Sequence, residues 1–217
     1  GNGTLMTDHF SVATPEGKTR AKAKAEAVTK AFVPFPLEDT FLLHSYPSSQ
    51  YKIFLDFDGN KRYKAWDIDG DATTFNDEER LKIQQMWYLV SEDYMPFTID
   101  ITTEDPGAGF LGAHAVIDGS EAYSYGWAYK NTWPNTNNNI AYTGIWGNDW
   151  IYIAQAASHE VGHTLNLFDH GQTDGTGYYL GHGEGWTQWG VIMGWDSDSI
   201  GIWDDGNYPI PNHPEDS

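Results

Sequence analysis

An α/β fold of the α+β kind is what the sequence predicts, on three observations. Strand-like runs at 51–57, 97–103 and 113–117 interleave with helical patterns at about 77–94 and 151–165. A chain of 217 residues with 40% hydrophobic and 15% aromatic content can bury one good core, and a second full domain is not expected. The lead segment differs in kind. Residues 1–50 hold five basic and five acidic side chains, leaving seven and twenty-six for 51–217, so the whole net charge of −19 falls in the second part. Residues 1–35, with the Ala/Lys-rich stretch EGKTRAKAKAEAVTKAF, have little to bury and are expected to be a pro-segment or linker remnant ahead of a domain at 36–217.

The elements follow in order. Tyr51–Phe57 alternates loosely and meets Asp58-Gly59, the pattern of a core strand ending in a turn. In DIDGDATTFNDEE, Asp67, Asp69, Asp71 and Glu78 echo the spacing of a calcium loop. Ala72 stands where an EF-hand needs glycine, which leaves an irregular calcium site or a solvated acidic turn. Asn76 and Glu79 form a capping pair, after which Ile83, Met86, Trp87, Val90 and Tyr94 share one helical face. Pro96 ends that helix, and FTIDITT at 97–103 and Ala113–Ile117 are expected strands. From 118 to 148 the chain is rich in Gly, Asn, Trp and Tyr, with an edge strand expected near 140–145 that would pair with an extended peptide.

The chemistry concentrates in SHEVGHTLNLFDHG at 158–171. His159 and His163 lie one helical turn apart and can bind one ion, while Glu160 can reach a water beside it. Asn166 falls where the helix should stop, and asparagine tolerates the left-handed conformation of a helix end. The chain beyond it offers Asp169 and His170 as further ligands.

Composition narrows the partners. Strong acidity disfavours nucleic acid and anionic membranes, and no apolar run approaches the length of a membrane span. The absence of cysteine excludes a disulfide framework, a thiolate metal site and masking of the metal by a pro-segment cysteine. Asp196, Asp198, Asp204 and Asp205 form either a second calcium candidate or an acidic tail.

With these residues in place the chain resembles the metzincins, zinc peptidases marked by HExxHxxGxxH or HExxHxxGxxD and a methionine-containing turn. His159, Glu160, His163, Asn166 and Asp169 occupy those positions, and Ile192-Met193-Gly194 is similar to the Met-turn. A group of secreted bacterial metzincins is closer still. Its segments correspond here to LHSYP at 43–47, IFLDFDG at 53–59, SEDYMPFTIDITTEDPG at 91–107, ASHEVGHTLNLFDHG at 157–171, YYLGHG at 178–183 and WGVIMG at 189–194. Two departures stand out: Asn166 replaces the usual glycine, and the usual His-Asp pair is inverted to Asp169-His170.

The resemblance implies a twisted mixed sheet packed on helices, with 36–217 as the catalytic domain, and one catalytic Zn2+ held by His159, His163 and a third residue. Spacing favours Asp169 as that ligand, with His170 or His182 the other candidates. Glu160 is the expected general base and acid, and Met193 a hydrophobic floor. Trp195 stands two residues after the methionine, where some clan members carry tyrosine, so support of the tetrahedral intermediate would fall to Tyr178, Tyr179 or His182, the last preferred. The expected protein is a secreted, cell-surface or periplasmic bacterial endopeptidase, monomeric, acting on proteins or peptides, with structural Ca2+ as an option. The competing reading is a noncatalytic zinc-stabilised module that binds peptide or glycan through its ten tryptophans and their loops.

Overall fold

The computed structural model describes residues 4–9, 35–119, 125–135, 140–143, 149–175, 177–183, 188–194, 200–205, 208 and 210–212. The order is β1 (Thr4–His9), β2 (Tyr51–Asp56), α1 (Asp77–Asp93), β3 (Asp100–Thr102), β4 (Leu111–Ile117), β5 (Tyr125–Lys130), β6 (Ile140–Thr143), α2 (Trp150–Thr164), β7 (Trp189–Val191) and β8 (Ile200–Ile202). This is a mixed α/β architecture, two helices packed on small sheets. Neither helix is long and apolar enough to cross a membrane.

The main sheet runs β1-β5-β6-β4-β2-β3. β6, β4, β2 and β3 are parallel neighbours, while β5 runs antiparallel to both β6 and β1. β7 and β8 pair in parallel as a separate ribbon. Period-2 alternation divides β2 and β4 between two faces. Ile53, Leu55, Ala113, Ala115 and Ile117 enter the main core with the buried residues of both helices. On the opposite face Phe54 stacks on His114 at 5.2 Å, and Tyr63 and Trp127 cover Val116.

α1 begins as its sequence requires. The Asn76 side chain accepts from Glu79 N at 2.9 Å, and the Glu79 carboxylate accepts from Asn76 N at 2.8 Å, a complete capping box. All five residues of the expected helical face are buried. α1 and α2 are joined through polar groups as well as apolar ones: Ser158 Oγ donates to Asp93 at 2.6 Å, and Tyr94 Oη donates to the Ser158 carbonyl at 2.9 Å.

Two expectations need correction. The strand near 140–145 is not an edge, because β4 and β5 flank β6. The run 97–103 shrinks to Asp100–Thr102, which pairs in parallel with β2 on one side and meets the 43–45 segment through a single bridge, His44 to Thr102, on the other. Within the segment expected to be a pro-segment or linker remnant, Thr4–His9 closes the main sheet against β5.

Candidate metal centre

α2 carries the centre, and its ends are set by local chemistry. Asp149 caps the start, accepting from Ile151 N at 3.2 Å. At the far end Asn166 takes φ 81, the left-handed turn expected of it. The last carbonyls are not left bare. Asn131 N donates to His163 O at 3.1 Å, and Thr132 N and Trp133 N both donate to Thr164 O at 3.0 Å. The segment after β5 is thus stitched to the end of the helix.

His159 and His163 are fully enclosed, and their rings meet edge to face at 4.8 Å. Each has one ring nitrogen committed to a carbonyl: His159 Nδ1 to Ile192 O at 2.8 Å, and His163 Nδ1 to Leu167 O at 2.9 Å. A carbonyl only accepts, so each Nδ1 carries a proton and, in the neutral ring, each Nε2 keeps its lone pair. Those lone pairs converge on Asp169, whose Oδ1 lies 3.1 Å from His159 Nε2 and 3.4 Å from His163 Nε2. The three donor atoms all lie within 4.8 Å of one another.

Three electron-pair donors held this close call for a shared cation, proton or metal. Tetrahedral zinc with bonds of 2.0–2.1 Å spaces its ligands about 3.3 Å apart, which both distances bracket. The donor set, two neutral imidazoles and a carboxylate, also fits zinc. Asp169 is 26% exposed where both histidines are enclosed, so the group opens to solvent on its side.

His170 is turned elsewhere. Its ring is buried 5.8 Å from that of Tyr208, its N–H donates to Met193 O at 2.6 Å, and its carbonyl accepts from Tyr179 N at 2.6 Å. His170 therefore ties the loop to the turn at 191–194. That turn lies against the helix: Met193, 1% exposed, places its sulfur against Gly162.

Glu160 is buried, and its carboxylate lies directly against the Gly126 backbone in β5, where a Cβ would overlap it. Gly126 was not singled out in the sequence, because the need for it arises only from a contact between β5 and a helix. Tyr178 is the tyrosine whose ring faces His159, at 6.3 Å. Tyr179 instead stacks on Tyr208 at 4.1 Å and pairs through Oη with His182 Nδ1. The exposed His182 packs on Trp189, ring centroids 3.5 Å apart. Among the described residues, Tyr178 rather than His182 has its ring beside that of His159. Trp195, Asp196 and Asp198 lie outside the described residues.

The acidic loop before α1 is assembled differently from its spacing. Asp67 and Asp69 approach Glu79, whereas Glu78 faces Lys82 at 2.8 Å. Both oxygens of Glu79 serve backbone N–H groups, those of Ile68 and Asn76. Hydrogen bonds close the loop on itself, and Asp67, Asp69 and Glu79 each offer a carboxylate oxygen within 4.8 Å of the others.

Compared with known proteins, the chain matches no family model and no curated protein.

Proposed function

We propose that the protein is a zinc-dependent endopeptidase of metzincin type, with the metal held by His159 Nε2, His163 Nε2 and Asp169. The observation that carries this reading is the convergence of those three donors on a helix that also buries Glu160 against β5. The parallel sheet with one antiparallel strand beside the helix, and the Met193 turn beneath it, support it further.

Zinc, when bound, supplies a Lewis acid that polarises the scissile carbonyl and makes a water more acidic. The chain's own groups do the rest. Ile192 and Leu167 carbonyls hold the two imidazoles in the tautomer that ligates. Glu160 takes the proton of the attacking water and returns it to the leaving nitrogen, base first and acid second. Asp169 contributes negative charge where a third histidine would be neutral, which lowers the metal's electrophilicity and moves the optimum pH upward.

Glu160→Gln tests the reading. The variant should keep about one zinc per chain by elemental analysis and lose nearly all cleavage of a mixed peptide library. Cleavage retained by the variant would remove Glu160 from the mechanism, and zinc without cleavage by the wild type would favour the binding-module reading.

A further inference from the structure

β5 reaches the candidate centre at both of its ends. Gly126, Ala128 and Lys130 alternate onto one face of the strand, the face turned toward α2. Near the start, Gly126 meets the Glu160 carboxylate. At the finish, the Lys130 ammonium sits over the ring of Phe168, 3.0 Å from its centroid. Phe168 directly precedes Asp169.

Lys130 is an isolated charge in the sequence. Of the twelve lysines and arginines it alone lies beyond residue 82, in the acidic stretch that forms β3 to β8 and α2. An ammonium on an aromatic face is held by the ring's quadrupole, more strongly as water is excluded, and both partners here are half-buried.

The backbone on either side fixes what this contact can control. Asn131, Thr132 and Trp133 donate their N–H groups to the last carbonyls of α2, so the lysine stem starts from a point tied to the helix that carries both histidines. The loop it meets is pinned at 167, where Leu167 O accepts from His163 Nδ1, and at 170, where His170 N donates to Met193 O. Phe168 and Asp169 span the interval. Turning the peptide between them swings the Asp169 carboxylate away from His159 Nε2 and His163 Nε2, which it meets at 3.1 and 3.4 Å. A Phe168 ring held by Lys130 limits that rotation, and a ligand ordered before the metal arrives costs less to bind with.

We propose that Lys130 is a positioning residue for the third ligand: its ammonium clamps the Phe168 ring and so keeps Asp169 where the two histidines converge. The proposal rests on the zinc centre assigned above. One strand thereby serves the proposed general base through Gly126 and the metal through Lys130.

The sign of the effect separates a clamp from a charge. A positive charge near a dication weakens its binding, so removing Lys130 tightens zinc if the residue acts by charge alone and loosens it if the residue acts by clamping. Zinc affinity, by competition with a chromophoric chelator, and the visible spectrum of the Co2+-loaded protein are compared for full-length wild type, Lys130→Met, Lys130→Arg, Phe168→Leu and the Lys130→Met/Phe168→Leu double variant.

Lys130→Met and Phe168→Leu should each weaken zinc about three- to tenfold, the range that a half-buried cation–π contact is worth. The double variant should bind no more weakly than the weaker single one, because both changes remove the same contact. Lys130→Arg keeps a cation over the ring and should bind within about twofold of wild type. The Co2+ bands, which report ligand geometry, should change in Lys130→Met and stay as in wild type in Lys130→Arg. Unchanged or tighter zinc in Lys130→Met, or losses that add in the double variant, would overturn the clamp; cleavage of the peptide library by wild type would then leave the endopeptidase reading standing. A lower melting temperature with zinc affinity and Co2+ spectrum unchanged would likewise reduce the contact to packing. Wild type that takes up no zinc would overturn the metal centre and the clamp together.

Discussion

The sulfur of Met193 rests against the Cα of Gly162, one residue before the second histidine of the centre. The neighbouring Ile192 carbonyl holds the first, so one turn fixes both the packing of the helix and the orientation of His159. A Cβ at 162 would overlap that sulfur, so either the Met193 side chain or the helix has to give way.

Gly162→Ala separates two opposing effects. Helix propensity favours alanine by up to about 1 kcal/mol, while overpacking costs about 1–3 kcal/mol. Met193 has little room to yield, being enclosed by Tyr179, Val191 and Tyr208 with Trp203 alongside, so the loss should win. A net loss of about 1 kcal/mol lowers the melting temperature by about 2–4 °C for a chain of this size. Zinc affinity should weaken with it. A melting temperature equal to or above that of wild type would show that the sulfur moves aside freely.

The third ligand is open to a paired test. Asp169→Ala removes a donor and should lose zinc during gel filtration, together with the stabilisation zinc confers, about 2.7 kcal/mol when free metal is a hundred times its dissociation constant. His170→Ala should keep zinc and still melt lower, because it empties a buried site beside Tyr208. Zinc lost from the His170 variant and kept by the Asp169 variant would exchange the two roles.

How far the sequence discloses this arrangement depends on the range of the interaction. The Asn76–Glu79 capping box and the left-handed Asn166 are local, decided within a few residues, and both can be read directly. The candidate ligand group is nearly local, since a helical turn and one tight loop bring 159, 163 and 169 together. The strand TLMTDH is not legible, because it lacks alternation and its partner lies more than a hundred residues away. The edge status of β6 fails for the same reason: whether a strand is flanked depends on the whole topology. Glu78 and Glu79 illustrate a third limit, since counting positions in a loop selects Glu78 while the capping geometry turns Glu79 inward.

On the face of the sheet away from the helices, Asp56 and Asp58 share a hydrogen bond. That bond and then burial push Asp58 up to about 6. Burial alone would raise Asp56 too, but His114, at 2.7 Å, and Asp58 outweigh it and hold Asp56 below its ordinary value. Because Asp58 binds its proton more tightly in the folded chain, its contribution is complete below its ordinary value of 3.8 and is lost as pH rises through about 6. Asp58→Asn keeps a donor toward Asp56 at every pH. It should therefore match wild type near pH 4 and exceed it above pH 6, by about 1 kcal/mol once solvent screening of this exposed group is allowed for. Denaturant melts across that range decide it; a difference independent of pH would rule out the shared proton.

Gly126 is where the sheet meets Glu160, the proposed general base. Glu160 is completely buried, and the methyl group of Gly126→Ala would occupy the space of its carboxylate, which has to move. A displacement of about 1 Å at a reacting group can cost about a hundredfold in rate, so kcat should fall by that order while KM changes far less. The metal ligands do not touch residue 126 in any contact described, so zinc content should hold near that of wild type. Overpacking should also lower stability by about 1–3 kcal/mol, which places the kinetic assay well below the melting temperature. Loss of kcat with zinc retained would identify Gly126 as a positioning residue for Glu160. An unchanged kcat in a folded, zinc-loaded variant would show that the carboxylate reaches its working position without guidance from β5.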